Sequence, residues 1–182
     1  MKTQKFSIVA AQSSIDWVGR KVTGAHNGTI TIKKGELVLS GGQITEGTFV
    51  IDTTSIKILD IADPATNAQF AGHLASDDFF GTDQYPEAYF EITSVSVNRI
   101  DGNLTIKGIT HPVSFDAVVT ENGRVLTAAG KIVIDRTKYG IRFRSGSFFQ
   151  NLGDTLIYND FDLNISLTAK AVEEPVLASD KK

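Results

Sequence analysis

Cysteine is absent from the chain. That excludes disulfides, zinc–thiolate sites and cysteine nucleophiles, and it removes any redox clue to compartment. Histidine occurs only three times, at His26, His73 and His111, and no two are spaced i, i+2 or i, i+4. A local metal chelate therefore cannot form on one strand or helix; the bland role for each ring is capping or loop hydrogen bonding. No apolar run reaches transmembrane length, so no membrane-spanning helix is expected. An excess of positive charge is missing too. The net charge of −3 argues against a nucleic-acid partner, which calls for a basic face. The glycine pair Gly41-Gly42 is followed by Gln43 rather than by Lys-Ser/Thr, so it reads as a hairpin turn and not as a phosphate cradle. A Gly-x-Ser-x-Gly elbow is also lacking, and Ser76 before Asp77 and Asp78 reads as a helix cap.

What remains is an ordinary globular composition, 41% apolar and 21% charged over 182 residues, enough for one domain with a sizeable core. The prevailing period is two. Ile15, Trp17 and Gly19 alternate with Asp16, Val18 and Arg20, and the same two-residue spacing recurs at Ile30 and Ile32, Phe49 and Ile51, Phe90 and Ile92, Leu104 and Ile106, Ile132 and Ile134, and Leu163, Ile165 and Leu167. Such alternation marks strands with one dry and one wet face. The pairs Lys34-Gly35, Gly41-Gly42, Asp101-Gly102 and Asn122-Gly123 are expected to turn the chain between them. About eight strands in one domain, residues 1–172, favour closure into an antiparallel barrel or a packed sandwich. Residues 173–182 read as a polar tail. The amino terminus lacks a signal-like apolar core, so a cytoplasmic chain is expected as it stands, or a periplasmic one where a leader has been removed.

Two places interrupt the strands. Asp63-Pro64 starts a helix, with Asp63 as cap and Pro64 in the first turn, and Phe70 and Leu74 share one of its faces. The stretch from His73 to Phe90, HLASDDFFGTDQYPEAYF, places Phe79, Phe80, Tyr85 and Tyr89 in one connection. All four are expected to seek a dry environment, which asks for a cavity or core that the segment closes. The second interruption, RSGSFFQNLGD from Arg144 to Asp154, reads as a loop or short helix laid against the barrel. Just before it, Ile141 and Phe143 would share one strand face and Arg142 and Arg144 the other. Arg136 or Arg142 then stands as a candidate for an anionic headgroup, because a guanidinium binds phosphate or carboxylate at two points.

Several of these segments together resemble a known family. HLASDDFFGTDQYPEAYFEI resembles the "HL.S.DFF….YP…F.I" signature of YceI-like polyisoprenoid-binding proteins. LTIKGITHPVSFDAVV is similar to its "LTIKG.T..V.F" strand pair, and GTFVIDTTSI to its "G.F.ID..SI" segment. IDRTKYGI and the final DLNISL strand follow in the family's order, so the likeness runs from about Ile15 to Leu167. The resemblance implies an all-β, extended, lipocalin-like antiparallel barrel with one or two short helical inserts. It also implies an apolar cavity for an isoprenoid or fatty-acyl chain, a possible homodimer and no established enzyme activity.

On that reading the inward faces hold Trp17, Phe49, Ile51, Phe90, Ile106, Phe115, Ile134, Ile141 and Phe143, while Phe70, Leu74, Phe79 and Phe80 cap the cavity. Such a lining offers hydrocarbon and no hydrogen bonds. At about 0.8 kcal/mol per buried methylene, a chain of about twenty carbons gains on the order of 16 kcal/mol before ordering costs. No catalytic residue, metal or cofactor is needed for that. Two rival readings are a metal-assisted or other enzyme acting on a small apolar substrate, centred on His73 and Asp78, and an interaction protein whose barrel is packed solid.

Overall fold

A computed structural model describes residues 3–172; the tail expected over 173–182 lies outside them. Nine strands follow in chain order: β1 (Thr3–Ile8), β2 (Ser14–Lys21), β3 (Gly24–Ser40), β4 (Gln43–Ile58), β5 (Glu87–Ser96), β6 (Arg99–Ile106), β7 (Ile109–Asn122), β8 (Val125–Asp135) and β9 (Ile157–Ala171). Among the described residues a single α-helix, α1 (Pro64–Ala75), sits between β4 and β5. Every pairing is antiparallel, and the sheet closes on itself through β2–β9 and β3–β4.

Nine strands make eight staves, because β1 and β2 share one. β1 pairs with the far half of β3, Thr3 opposite Ser40, while β2 pairs with its near half, Ile15 opposite Ile30. Both also pair with β9. A 3₁₀ turn at Ala10–Gln12 breaks the stave, and Ser13 pins the break. Its hydroxyl donates to Val9 O at 2.9 Å and accepts from Thr168 N at 3.0 Å. The ring of pairings closes, but β4 pairs with β5 only as far as Asp52–Glu87 and β7 with β8 only over Ala117–Asn122, so these staves part towards the open end.

The alternating apolar residues point inward as expected, but two of the glycine pairs do not turn the chain. Gly41-Gly42 closes the β3–β4 hairpin with φ of 61° and 80°, and Gly123 lies in the β7–β8 turn. Lys34-Gly35 and Asp101-Gly102 lie inside β3 and β6 instead. Those glycines admit large rings from the next stave. A Cβ on Gly35 would stand 2.7 Å from the Phe49 ring and 2.8 Å from Ile8, and one on Gly102 would collide with Phe90. The β5–β6 turn falls at Val97-Asn98, with Val97 at φ 56°.

The barrel has a closed and an open end. At the closed end β1 lays Phe6, fully buried, against Leu37, Leu39, Leu126 and Ala169. The open end gathers the β2–β3 turn, α1 with its flanking chain, the β6–β7 turn and the long β8–β9 connection.

Candidate lipid cavity and its mouth

Between the closed end and α1 the barrel encloses a cavity of about 1130 Å³. Its deep wall is hydrocarbon: Ile15, Ile165, Ile32, Leu37 and Ile44 low down, then Phe49, Phe90, Ile92, Ile100, Phe115 and Ala117, then Trp17, Ile51, Leu104, Ile106, Ile132 and Leu163 towards the mouth. Phe90 and Phe115, 5.9 Å apart between ring centres, are only partly buried although they point inward. Their free faces look into the cavity. Small residues on β8, Ala128 and Gly130, keep the bore open where a larger side chain would fill it.

The helix forms the lid, and its local sequence dictates it. Asp63 caps it, accepting from Thr66 N at 3.0 Å and from the Thr66 hydroxyl at 2.6 Å, and Pro64 occupies the first turn. These two bonds hold the Asp63 carboxyl below its usual pKa. Asn67 ties the helix to the end of β4 by donating to Ile58 O and Ile61 O at 2.9 and 3.0 Å. Phe70 and Leu74 then share the face turned to the cavity.

Beyond the helix, residues 76–85 form a knot of turns. Phe80 N donates to Leu74 O at 3.0 Å, Gly81 N to Ser76 O at 2.9 Å and Thr82 N to Ala75 O at 2.9 Å. This puts Phe79 beneath His73, with ring centres 4.9 Å apart, and Phe143 from the β8–β9 connection closes the triangle at 4.7 Å from His73 and 5.5 Å from Phe79. Phe80 reaches Phe161 on β9. Tyr85 and Tyr89 depart from the dry environment expected of them and are 36% and 46% exposed. Tyr89 follows the pleat: Phe90 points in, so Tyr89 points out and donates to Glu87 at 2.9 Å.

The segment 136–144 departs from the strand expected there. Asp135 ends β8 and caps a 3₁₀ turn, Arg136–Tyr139, by accepting from Thr137 N at 3.0 Å, and Gly140 at φ 77° closes it. Ile141 and Phe143 still line the cavity, but so does Arg144, because its left-handed φ of 51° breaks the alternation.

Of the residues expected to line the cavity, all but Ile134 do so; Ile134 is fully buried in the wall behind it. The two arginines part company. Arg136 borders the cavity, yet is 4% exposed and donates to three main-chain carbonyls: Tyr158 O at 3.0 Å, Ile141 O at 2.9 Å and Ile157 O at 3.0 Å. Burial lowers its pKa from the ordinary arginine value, against the pull of Asp135. Arg142 lies off the cavity, exposed, with its guanidinium 4.5 Å from the Phe148 ring centre. The polar rim instead includes Lys21, Arg144, Gln69, Thr155 and Asp160, none of which the alternating pattern singles out. Lys21 and Arg144 flank Ile157: Lys21 is its strand partner, and Ile157 N donates to Arg144 O at 2.9 Å.

The histidines are separate. His26 Nδ1 lies 2.8 Å from Asp60, His73 Nε2 lies 3.1 Å from Asp78, and His111 Nε2 donates to Lys138 O at 2.9 Å. Among the described residues no three His, Asp or Glu side chains come together as a metal site.

Comparison with known proteins agrees with this architecture. A sequence model described as the YceI-like domain matches residues 6–169. A UPF0312 protein of Staphylococcus aureus is 48% identical over 80 residues, covering 39% of this chain and 46% of the relative. A second, from Staphylococcus epidermidis, is 37% identical over 105 residues, covering 50% and 60%. The matched stretches thus span about half the length of these curated relatives. Among solved structures, a polyisoprenoid-binding domain from Saccharophagus degradans superposes with a TM-score of 0.70 at 16% identity, covering 92% of this chain and 98% of that one. Burkholderia cenocepacia BcnA gives 0.66 at 20% identity, covering 90% and 99%. At these identities the likeness is one of fold.

Proposed function

The chain belongs to the YceI-like family, and from that premise we propose that it binds, stores or carries a long apolar lipid of polyisoprenoid or fatty-acyl type. The tail lies in the barrel and the head at the rim. The observation that carries this reading is the cavity itself: about 1130 Å³, walled by hydrocarbon, shut at one end and lidded at the other. That is just above the roughly 300–1,000 Å³ of small-molecule pockets. At about 30 Å³ per water-sized group it holds at most on the order of forty methylene-sized groups.

Such a wall binds by exclusion from water. It offers a sugar or nucleotide almost no hydrogen bonds, so burying one would leave polar groups unsatisfied. It accepts hydrocarbon at about 0.8 kcal/mol per methylene. Lys21 and Arg144 at the rim supply positive charge for an anionic head, and Arg136 holds the shape of that rim rather than reaching for the head. The use of His73 in the ring triangle with Phe79 and Phe143, and of Asp78 as its partner, supports binding over catalysis. The named lipid-binding neighbour from Saccharophagus degradans shares the fold and lends support of the same kind.

Organic extraction of the purified protein followed by mass spectrometry tests the reading. A copurifying prenyl or acyl lipid, displaced when Phe49 and Phe115 become alanine, is the expected result. A protein that yields no lipid and takes up none from an added prenol or fatty acid would overturn it.

A further inference from the structure

The β8–β9 connection has features that holding a cargo does not explain. From 136 to 156 it carries Arg136, Lys138, Arg142 and Arg144 against one acid, Asp154, in a chain whose net charge is −3. Its tip presents Phe148 and Phe149 side by side, 49% and 51% exposed. These rings are held out by a built turn. Phe148 N and Phe149 N both donate to Ser145 O, at 3.1 and 3.0 Å. Ser145 is fully buried, its hydroxyl 2.6 Å from Asn159 Oδ1, and Asn159 Nδ2 donates back to Ser147 at 2.8 Å. Arg142 stacks on Phe148 and, among the described residues, neither it nor Arg144 has a carboxylate in ion-pair contact. The same connection lines the cavity through Ile141, Phe143 and Arg144. Beside it, at the same end, Val22 is 48% exposed and its N donates to Leu156 O.

We infer that this connection is a membrane-docking surface: the open end of the barrel settles on a lipid bilayer bearing anionic headgroups. Phe148 and Phe149 enter the boundary between headgroups and acyl chains, where aromatic rings are favoured. Lys138 and Arg142 meet the headgroup phosphates, where basic residues are drawn to a negative surface. Charge around the rim sets the tilt. In the ring of eight staves the β4–β5 and β8–β9 connections spring from opposite sides and meet over the mouth, where Phe143 packs on His73 and Phe79. The former carries Asp60, Asp63, Asp77, Asp78 and Asp83, which an anionic surface repels. The basic loop goes down and the α1 lid stays clear, so an apolar cargo passes between bilayer and cavity without crossing water. The inference goes beyond cargo binding and has its own readout.

Flotation of the full chain with phosphatidylcholine vesicles, with and without phosphatidylglycerol, tests it. The expected result is binding that needs phosphatidylglycerol and weakens with salt. It should fall about tenfold or more in F148S/F149S and in R142E, following the loss of apolar insertion and the reversal of one charge. A control at a still more exposed apolar residue on the closed end, V97S, should bind as the parent does. Circular dichroism and extraction of bound lipid on each variant separate docking from folding and from cargo. Variants that keep fold and cargo but lose vesicles support the surface. A parent chain that ignores anionic vesicles, or a double phenylalanine variant that binds them equally well, overturns it. So does a double variant that changes only the oligomeric state, which would mark the face as a contact between copies. Vesicle binding by a parent chain that carries and accepts no lipid would leave the docking surface standing and sink the cargo reading.

Discussion

Arg136 shows how a single side chain can look like ligand chemistry and act as architecture. Its three nitrogens each donate to a carbonyl, one following the 3₁₀ turn and two at the start of β9. Lysine cannot span those diverging acceptors. Arg136→Lys is therefore expected to lower unfolding stability by about 2–3 kcal/mol, as for lost hydrogen bonds to a charged group, read by urea denaturation. Gly28 is a second such point. A Cβ there would collide with Lys57 O and stand 2.5 Å from the ring of Trp17. Gly28→Ala should cost about 1–3 kcal/mol and, because Trp17 is the one tryptophan in the chain, shift the intrinsic fluorescence. On the outer wall, Asp162 of β9 is 6% exposed and lies between Arg20 at 2.8 Å and Lys131 at 3.4 Å. The hydrogen bond from Arg20 holds its carboxyl below the usual value. Asp101 is held low by Ser114 and Ser94. A carboxyl with a lowered folded pKa adds stability that is present above its unfolded pKa, about 4, and lost as pH falls through the folded one. The thermal midpoint should accordingly be level from neutrality to about pH 5 and drop below about pH 4, with a shallower acid limb in Asp162→Asn.

At the scale of elements, two connections decide what the barrel can do. The lid helix was legible from the chain: Asp63-Pro64 gives the cap and first turn, and the four-residue spacing of Phe70 and Leu74 gives the buried face. Trimming that face, in Phe70→Ala with Leu74→Ala, should quicken exchange of a fluorescent fatty acid while the barrel's circular dichroism stays the same. An unchanged exchange rate would mean that entry does not pass the helix. The β8–β9 connection was less legible. Ile141 and Phe143 point inward as alternation suggests, but the capping Asp135, Gly140 at φ 77° and Arg144 at φ 51° replace the strand with turns. A period-two pattern says which residues share a face only while the chain is extended, so it misassigned Arg142 and passed over Arg144 and Lys21. Glycine was ambiguous for a similar reason. Gly41-Gly42 turns the chain, whereas Gly35 and Gly102 make room for rings, and only the neighbouring stave distinguishes the two.

At the scale of the whole molecule, the interior follows from one regularity carried over eight staves. Large apolar residues point inward on every stave, while Gly130, Ala128 and Ala117 leave space that a packed core would fill. The closed end was not legible: no alternation was read over residues 3–8, and only the pairing of β1 with the far half of β3 shows that it shuts the end. A cavity of about 1130 Å³ distinguishes this barrel from one packed solid. Large-to-small changes on its wall should then cost less than the about 3–5 kcal/mol of a buried Phe→Ala in a close-packed core. The most direct test of the account is mass spectrometry of the intact purified protein under non-denaturing conditions, followed by the same measurement after organic extraction. The account predicts a mass excess matching one long prenyl or acyl lipid per chain that extraction removes and added lipid restores. A chain at its bare mass that takes up no such lipid would contradict it.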